Sequence, residues 1–189
     1  RAVATSRQFT QGSLQQTSNN MDVAIQGKGF FEVELPDGTI GYTRDGAFQI
    51  DNQGRIVTNT GYPVNTGGAT IPPTATNLTI GNDGVITATL PGTTNPARIG
   101  QFQLANFINP AGLDPKGQNL FAETASSGAP QQGTPNSANL GSLSQGFVET
   151  SNVNVVQELV TMIQTQRAYE LNSKAIQTSD QMLQKLAQL

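Results

Sequence analysis

The last 35 residues of the chain carry apolar side chains at a period of seven and contain neither glycine nor proline. One register of this repeat is wholly apolar and consists of Val155, Met162, Tyr169, Ile176 and Leu183. A heptad repeat aligns such residues along one side of an α-helix. The pattern therefore predicts a terminal helix over residues 155–188, about 50 Å long at a rise of about 1.5 Å per residue.

The companion register of the repeat turns polar after Leu159, because Gln166, Ser173 and Asp180 follow it. A two-stranded coiled coil requires apolar residues in both registers, so we expect this coiled-coil-like helix to contact several neighbours in a bundle or tube. The predicted assembly interface comprises Val155, Val156, Leu159, Met162, Ile163, Tyr169, Leu171, Ile176, Leu183 and Leu186. The alternative, in which the stripe packs on the β-domain of the same chain, stays open at this stage.

Polar residues mark the beginning of the predicted helix. Asn154 is a favourable N-cap, and Gln157 occupies the third helical position, as in a capping box. Glu158 adds negative charge at the positive end of the helix dipole. These residues place the helix start at Val155.

The preceding 154 residues hold all 20 glycines and all 10 prolines and are typical of turn-rich β-structure. In the run 30–35, apolar side chains at positions 31, 33 and 35 alternate with Glu32 and Glu34. Successive side chains of a strand point to opposite faces, so we expect both carboxylates on a solvated face.

Turn residues recur at steps of eight, at Asp37-Gly38, Asp45-Gly46 and the segment 51–54, and another turn falls at 82–84. Asp-Gly between alternating runs favours a hairpin because glycine reaches positive φ without steric cost. We therefore predict antiparallel hairpins. The predicted strands are 23–25, 30–35, 39–43, 47–50, 55–58, 78–80, 85–90 and 99–107.

These patterns predict a mainly β fold with a long C-terminal α-helix. An antiparallel, hairpin-rich β-domain occupies residues 1–145, and a helix for assembly occupies residues 146–189. The first 20 residues are rich in Gln, Ser, Thr and Asn, and we expect extended structure with little intrinsic order there. Residues 124–148 carry no charge and many turn formers, which predicts a long irregular loop.

The composition excludes several classes of function, mainly because two chemically important residue types are absent. The chain has no cysteine and no histidine, which removes disulfides, thiolate chemistry and the commonest general base. The net charge is −3 and the ten Lys and Arg residues are scattered, so nucleic-acid binding is not indicated. We predict no catalytic residue, cofactor, metal or small-molecule substrate. No apolar run reaches the length of about 18 residues that predicts a transmembrane helix.

Three segments partly fit catalytic or ligand-binding patterns. Glu32 and Glu34 form a carboxylate pair of the kind that glycosidases use, but nothing marks a sugar cleft. The segment 26–29 (QGKG) lacks the Ser or Thr that follows lysine in a phosphate loop, and the 51–54 turn lacks the ligand series of a calcium loop. We interpret these segments as ordinary strand and turn sequence, so an enzyme is the least favoured function.

Two long blocks resemble one protein family. The run SQGFVETSNVNVVQELVTMIQTQRAYELNSKAIQTSDQMLQKLAQL (144–189) is similar to the C-terminal signature of bacterial flagellar rod and hook proteins. The run QQTSNNMDVAIQGKGFFEVELPDGTIGYTRDGAFQIDNQGRIVTNTGYPV (15–64) resembles the β-domain signature of the same family. Together the two blocks cover about half of the chain and occur in the family order.

The resemblance implies a structural subunit of the distal rod of the flagellar basal body. Copies would assemble helically into a tubular drive shaft that transmits torque from motor to hook, with terminal helices inside and β-domains outside. The alternatives are a proximal rod or hook subunit and, in a different class, a cell-wall glycan-binding β-domain. The glycan reading has little support because the chain has no tryptophan and three tyrosines.

The family also implies location and partners. Its members leave the cell unfolded through the type III flagellar export channel, and the distal rod spans the periplasm to the outer membrane. Partners would be further copies in a helical tube, other rod proteins, hook subunits and the ring proteins around the rod. The family's N-terminal helix is missing here, and the chain begins at Arg1 within polar sequence, so we expect a longer natural protein.

Overall fold

The computed structural model describes residues 7–92, 95–137 and 139–186, and the side chains of residues 185 and 186 lie outside this description. The chain divides into two compact units between Ser151 and Asn152. The first is a β-unit and the second contains one helix, α1, at Val155–Leu186. The strands are β1 Leu14–Gln16, β2 Val23–Gln26, β3 Phe30–Glu34, β4 Ile40–Thr43, β5 Phe48–Ile50, β6 Ile56–Thr58, β7 Asn77–Ile80, β8 Val85–Thr89, β9 Ala97–Gln101, β10 Leu104–Asn106, β11 Asp114–Gly117, β12 Leu120–Ala122, β13 Gln131–Gly133, β14 Ser142–Gln145 and β15 Phe147–Glu149, with a 3₁₀ turn at Pro110–Gly112.

A six-stranded antiparallel sheet forms the centre of the β-unit, in the order β11-β12-β4-β3-β10-β13. Its β3–β4 hairpin turns at Asp37-Gly38, where Gly38 has φ 78° and its N–H donates to the Leu35 carbonyl at 2.9 Å. Smaller sheets flank it: β7-β8-β9, β5-β6, β14-β2 and β1-β15. The predicted fold class, mainly antiparallel β with one C-terminal helix, is confirmed.

The predicted hairpins at 37–38, 51–54 and 82–84 are confirmed, but the one at Asp45-Gly46 is wrong, because β4 and β5 lie in different sheets. Gly46 is needed there for close packing. A Cβ at this position would collide with the Val23 carbonyl oxygen, and the Val23 N–H donates to the Gly46 carbonyl at 3.0 Å. The predicted strand 99–107 is two strands, because β9 and β10 belong to different sheets.

Two other expectations from composition need correction in whole or in part. Residues 124–148 are not one irregular loop, because they contain β13, β14 and the first part of β15. For the first 20 residues, the expectation falls partly on residues 1–6, which lie outside the described part of the chain; in residues 7–20 the extended structure is confirmed by β1, but local order is present, because Phe9 packs edge-to-face on Phe121 with ring centroids 5.2 Å apart. Both segments gain order from pairing with distant strands, which local composition does not report.

The central sheet has a hydrophobic cluster on each face. One cluster includes Phe31, Phe48 and Phe102, and the other includes Phe30 and Tyr42. Alternation along β3 places Phe30 and the Glu32 side chain on the same face, opposite Phe31. Both faces of β3 are therefore covered within the β-unit.

The prediction that Glu32 lies on a solvated face is wrong, because its side chain is only 1% exposed, whereas Glu34 is exposed. Asn65 Nδ2 and Gln132 Nε2 each donate a hydrogen bond of 2.8 Å to the Glu32 carboxylate. A buried carboxylate requires such donors to replace its lost hydration. The pKa of neighbouring Tyr42 is raised to about 12 by burial and by the Glu32 and Glu123 carboxylates.

The boundary between the two units falls after Ser151, whereas we expected it after residue 145. The difference arises because β15 pairs with β1, in the register Leu14↔Glu149 and Gln16↔Phe147. In the part of the chain that the structure describes, no helix combines the length and the apolar character required to cross a bilayer.

Candidate assembly surface on the C-terminal helix

The helix begins where its capping residues predict. Asn154 Oδ1 accepts hydrogen bonds from the backbone N–H groups of Val156 at 3.1 Å and Gln157 at 3.3 Å. Glu158 lies in the first turn and brings a negative charge to the positive end of the helix dipole. The predicted N-cap is confirmed, and it fixes the direction in which the chain enters α1.

The side chains of the predicted stripe are exposed along α1. Their exposed fractions run from 49% at Ile163 to 77% at Tyr169. The exposed members of the predicted interface are Val155, Val156, Leu159, Met162, Ile163, Tyr169, Leu171, Ile176 and Leu183. The tenth predicted member, Leu186, has a side chain outside the described set. A row of this many exposed large apolar side chains is typical of a surface that another chain covers.

The apolar surface of α1 changes sides along the helix. At about 100° per residue, the apolar residues of segment 155–163 span an arc of about 160°. The arc formed by Ala175, Ile176, Met182 and Leu183 centres about 180° away from the first. One partner on one side cannot cover both arcs, so the pattern favours contacts with more than one neighbouring helix.

Polar side chains between the apolar ones are partly satisfied within the helix. The Thr161 hydroxyl donates to the Gln157 carbonyl at 2.9 Å, and the Thr165 hydroxyl donates to the Thr161 carbonyl at 2.8 Å. The Thr178 hydroxyl bonds the Lys174 carbonyl in the same way at 2.8 Å. These hydroxyls keep a hydrogen-bond partner when a neighbour displaces water, which lowers the cost of docking.

The strand that leads to α1 is held by the beginning of the chain. Beyond the β1–β15 pairing, the backbone N–H and the hydroxyl of Thr150 both donate to the Ser13 carbonyl, at 2.8 and 3.0 Å. The Gly12 N–H donates to Glu149 Oε1 at 2.8 Å. Segment 12–17 therefore runs beside residues 146–150 of the β-unit, a pairing that the sequence pattern did not reveal.

The sequence pattern also missed an ion pair at the end of β15. Arg44 Nη2 lies 2.8 Å from Glu149 Oε2, and both side chains are largely buried. The partners are 105 residues apart, so no local pattern links them. No group of acidic, cysteine or histidine side chains in the described ranges could hold a metal ion.

A cavity of about 460 Å³ lies beside the β3–β4 hairpin and is lined in part by Glu34, Ile40, Arg55, Asn65 and Thr70. The buried Glu32 carboxylate also borders it, but both of its oxygens accept amide hydrogen bonds. The Arg55 guanidinium pairs with Asp51 at 2.9 Å. Glu32 and Arg55 thus have partners within the β-unit, whereas Glu34 is exposed, and Glu32 acts as a structural carboxylate.

An antiparallel β-unit followed by a helix with exposed apolar arcs defines a structural protein built for assembly. Residues 24–88 match the family described as the flagellar hook protein FlgE/F/G D1 domain. Residues 144–189 match the family described as the flagellar basal body rod FlgEFG protein C-terminal. The first match extends from β2 to β8, and the second extends from the end of β14 through β15 and α1.

Three relatives carry the name flagellar basal-body rod protein FlgG. The protein of Buchnera aphidicola subsp. Schizaphis graminum is 56% identical over 189 residues, which are 100% of this chain and 72% of that protein. Those of Borreliella burgdorferi and Bacillus subtilis are 48% and 41% identical, over 95% and 94% of this chain and 68% of each relative. The chain therefore belongs to the FlgE/F/G family of flagellar rod and hook proteins. Its role is that of a structural rod subunit in the flagellar basal body, a role that implies assembly with other rod and hook components.

Proposed function

We propose that this protein is a subunit of the distal rod, which assembles helically into the tube that transmits torque from motor to hook. The observation that carries the proposal is the exposure of apolar side chains on two sides of α1. Helical assembly of identical chains uses head-to-tail contacts that do not close into a ring. A helix with two apolar arcs supplies contacts of this kind on both sides.

The proposed occupants of the two arcs are different chain segments. The chain spans 72% of a FlgG relative, so that relative holds further sequence outside the matched region. We assign one arc to a helix in the corresponding N-terminal part of this protein, and the other arc to helices of neighbouring copies. The hook subunits and the rings around the rod are the remaining proposed partners, and no catalytic step belongs to this role.

Replacing Ile176 or Leu183 by Asp tests the proposal in the full-length protein. Each change buries a charge if the stripe is an interface, so rods should fail to form, as judged by electron microscopy of basal bodies. Gln181→Asp is the matched control, because position 181 lies about 140° around the helix from Ile176 at about 100° per residue. Normal rods from the Ile176 and Leu183 variants would contradict the proposal, as would loss of β-unit folding, which would make the stripe part of an internal core.

A hook or proximal-rod subunit of the same family would share the β-unit and the helix. The position of the subunit along the assembled rod and hook distinguishes these roles. Helical reconstruction of rods that contain this protein should locate it next to the hook. Density confined to the motor end of the rod would contradict the distal assignment.

A further inference from the structure

The strand that leads into α1 is attached to the β-unit by a short ribbon. Among the described residues, the strand ladder of β15 is formed with β1, through three residue pairs that end at Leu14↔Glu149, and the other end of β15 is held where the Gly146 N–H donates to the Asp22 carbonyl at 2.7 Å. Five residues, 150–154, then connect Glu149 to the first residue of the helix. A two-stranded ribbon of this length is marginally stable by itself. A pull on the helix reaches the Glu149 end of the ribbon first, where the strands can peel apart one pair at a time.

A single arginine braces this end of the ribbon. Arg44, which follows β4, donates from Nε and Nη2 to Glu149 Oε2 at 2.9 and 2.8 Å. The other carboxylate oxygen, Oε1, accepts the Gly12 N–H at 2.8 Å. The Glu149 side chain therefore joins the central sheet and the beginning of the chain to the strand that leads to α1.

The remaining donors of Arg44 bind the turn between β2 and β3. Nη1 donates to the carbonyls of Gly27 at 3.1 Å and Gly29 at 3.0 Å, while Nη2 also reaches the Gly27 carbonyl at 3.1 Å. The guanidinium carbon lies 6.0 Å from the centre of the Phe30 ring. The guanidinium can make these bonds together with the pair to Glu149 because it carries five N–H donors in one plane. A lysine ammonium could not, because its donors all lie on one nitrogen.

Gln11 extends the same network to the segment that precedes β1. Its Nε2 donates to the Ile25 carbonyl at 3.0 Å, and its Oε1 accepts the Gly27 N–H at 3.1 Å. The segment that precedes β1 and the end of β15 are therefore both bound to the region of the β2–β3 turn, the first through Gln11 and the second through Arg44. The brace holds the two strands at the end where peeling would start.

The Arg44–Glu149 pair is sufficiently buried that its loss should destabilise the ribbon. The side chains of Arg44 and Glu149 are 18% and 11% exposed, in contrast to 49% for Arg55 in its pair with Asp51. Removing one partner of a buried pair leaves the other charge without a counter-ion in a poorly hydrated site. Removing one partner of a surface pair changes little.

We propose that Arg44 is a positioning residue for β15, the strand that leads to the helix. It locks β15 to the central sheet and to the β2–β3 turn, so that load on α1 enters the β-unit through the Arg44–Glu149 pair. The mechanical part of this inference rests on the proposed role in torque transmission. The local part, that the pair closes the ribbon, is independent of assembly.

Amide hydrogen exchange of the 189-residue chain tests the local part. Glu149→Gln keeps the shape of the side chain and removes its charge, so the amides of Thr17 and Thr150 should exchange at least about tenfold faster. Those amides close the ribbon through the Gly146 and Ser13 carbonyls, at 2.7 and 2.8 Å. The amide of Val64, which bonds the Ile56 carbonyl elsewhere in the β-unit, should keep its rate.

Two further variants sharpen the exchange test. Arg44→Lys should accelerate exchange of the Thr17 and Thr150 amides to an intermediate extent, because lysine keeps the positive charge but lacks the planar set of donors. Arg55→Gln is the matched control and should leave the Thr17 and Thr150 amides unchanged. Unchanged exchange in Glu149→Gln would overturn the proposal. Equal acceleration at Val64 would also overturn it, because the pair would then serve global stability alone.

Flagellated cells that carry full-length Glu149→Gln test the mechanical part. Rods should assemble, and rotation should then fail at a lower medium viscosity than in cells with the native protein or with Arg55→Gln. Assembled rods with an unchanged dependence on viscosity would overturn the proposed transmission of load through this pair and leave the rod function intact. Normal rods from Ile176→Asp would instead contradict the rod function, without affecting the exchange result.

Discussion

The β-unit and α1 differ in the burial of their apolar side chains. Every fully buried apolar residue in the described part of the chain lies between Val23 and Leu143, within the β-unit. The nine predicted interface residues of α1 whose side chains the structure describes are at least 49% exposed. The β-unit therefore has its own hydrophobic driving force for folding, whereas in the proposed assembly α1 obtains most of its stabilisation from other chains.

This difference separates stability from assembly along one polypeptide. A helix of 32 residues without a packed face is held mainly by its backbone hydrogen bonds and its cap, which are weak in water. The β-unit has clusters on both faces of its central sheet. Changes in the β-unit should therefore alter unfolding, whereas changes in α1 should alter rod formation.

The largest expected effect on stability is at the centre of the β-unit. Phe31 is fully buried, and its ring centroid lies 4.9 Å from that of Phe48 and 5.7 Å from that of Phe102. Phe31→Ala should lower the free energy of unfolding by about 3–5 kcal/mol in a denaturant titration. Tyr169→Ala, at the most exposed position of the stripe, should change it by less than about 0.5 kcal/mol. Similar losses in both variants would remove the distinction between the two units.

A smaller effect is expected from alkaline pH. The pKa of Tyr42 is raised from its ordinary value of 10.0 to about 12 by burial and two nearby carboxylates, so the fold favours the protonated phenol. This contribution is complete below pH 10 and is lost as the pH rises toward 12, at a cost of about 2–3 kcal/mol. The difference in unfolding free energy between the native protein and Tyr42→Phe should change over this range. A constant difference would contradict the shift.

The smallest effect should be confined to the start of α1. Asn154→Ala removes the acceptor for two backbone N–H groups and should destabilise the helix by about 1 kcal/mol. Asn154→Gly is the control, since glycine at an N-cap costs only a few tenths of a kcal/mol. Helix content by circular dichroism should fall in the alanine variant, and the thermal transition of the β-unit should stay in place. A shift of that transition would show that the units are energetically coupled.

Local sequence signals predicted the parts of the fold that short-range chemistry controls. The turn at Asp37-Gly38, the alternation of β3 and the cap at Asn154 each depend on residues within a few positions. The heptad register of α1 likewise follows from spacing alone. The side chains that it selects are exposed in the structure, and their role as an interface remains a proposal.

Long-range pairings could not be predicted in the same way. Glu32 looks like a surface residue in its strand, and only the amides of Asn65 and Gln132 make its burial possible. β15 depends on β1, more than 130 residues earlier in the chain, and the Arg44–Glu149 pair spans 105 residues. These features depend on which strands become neighbours, and a single sequence carries no direct signal of that choice.

The chain has no cysteine, so one introduced thiol can report directly on whether the stripe becomes covered. The rate of maleimide labelling of Ile176→Cys should be high in the isolated chain, where Ile176 is 64% exposed, and should fall strongly in rods assembled from the full-length protein. Gln181→Cys, on the polar side, should label rapidly in both. Protection of position 176 in the isolated chain, or equally fast labelling of it in rods, would contradict the assignment of the α1 stripe to contacts between chains.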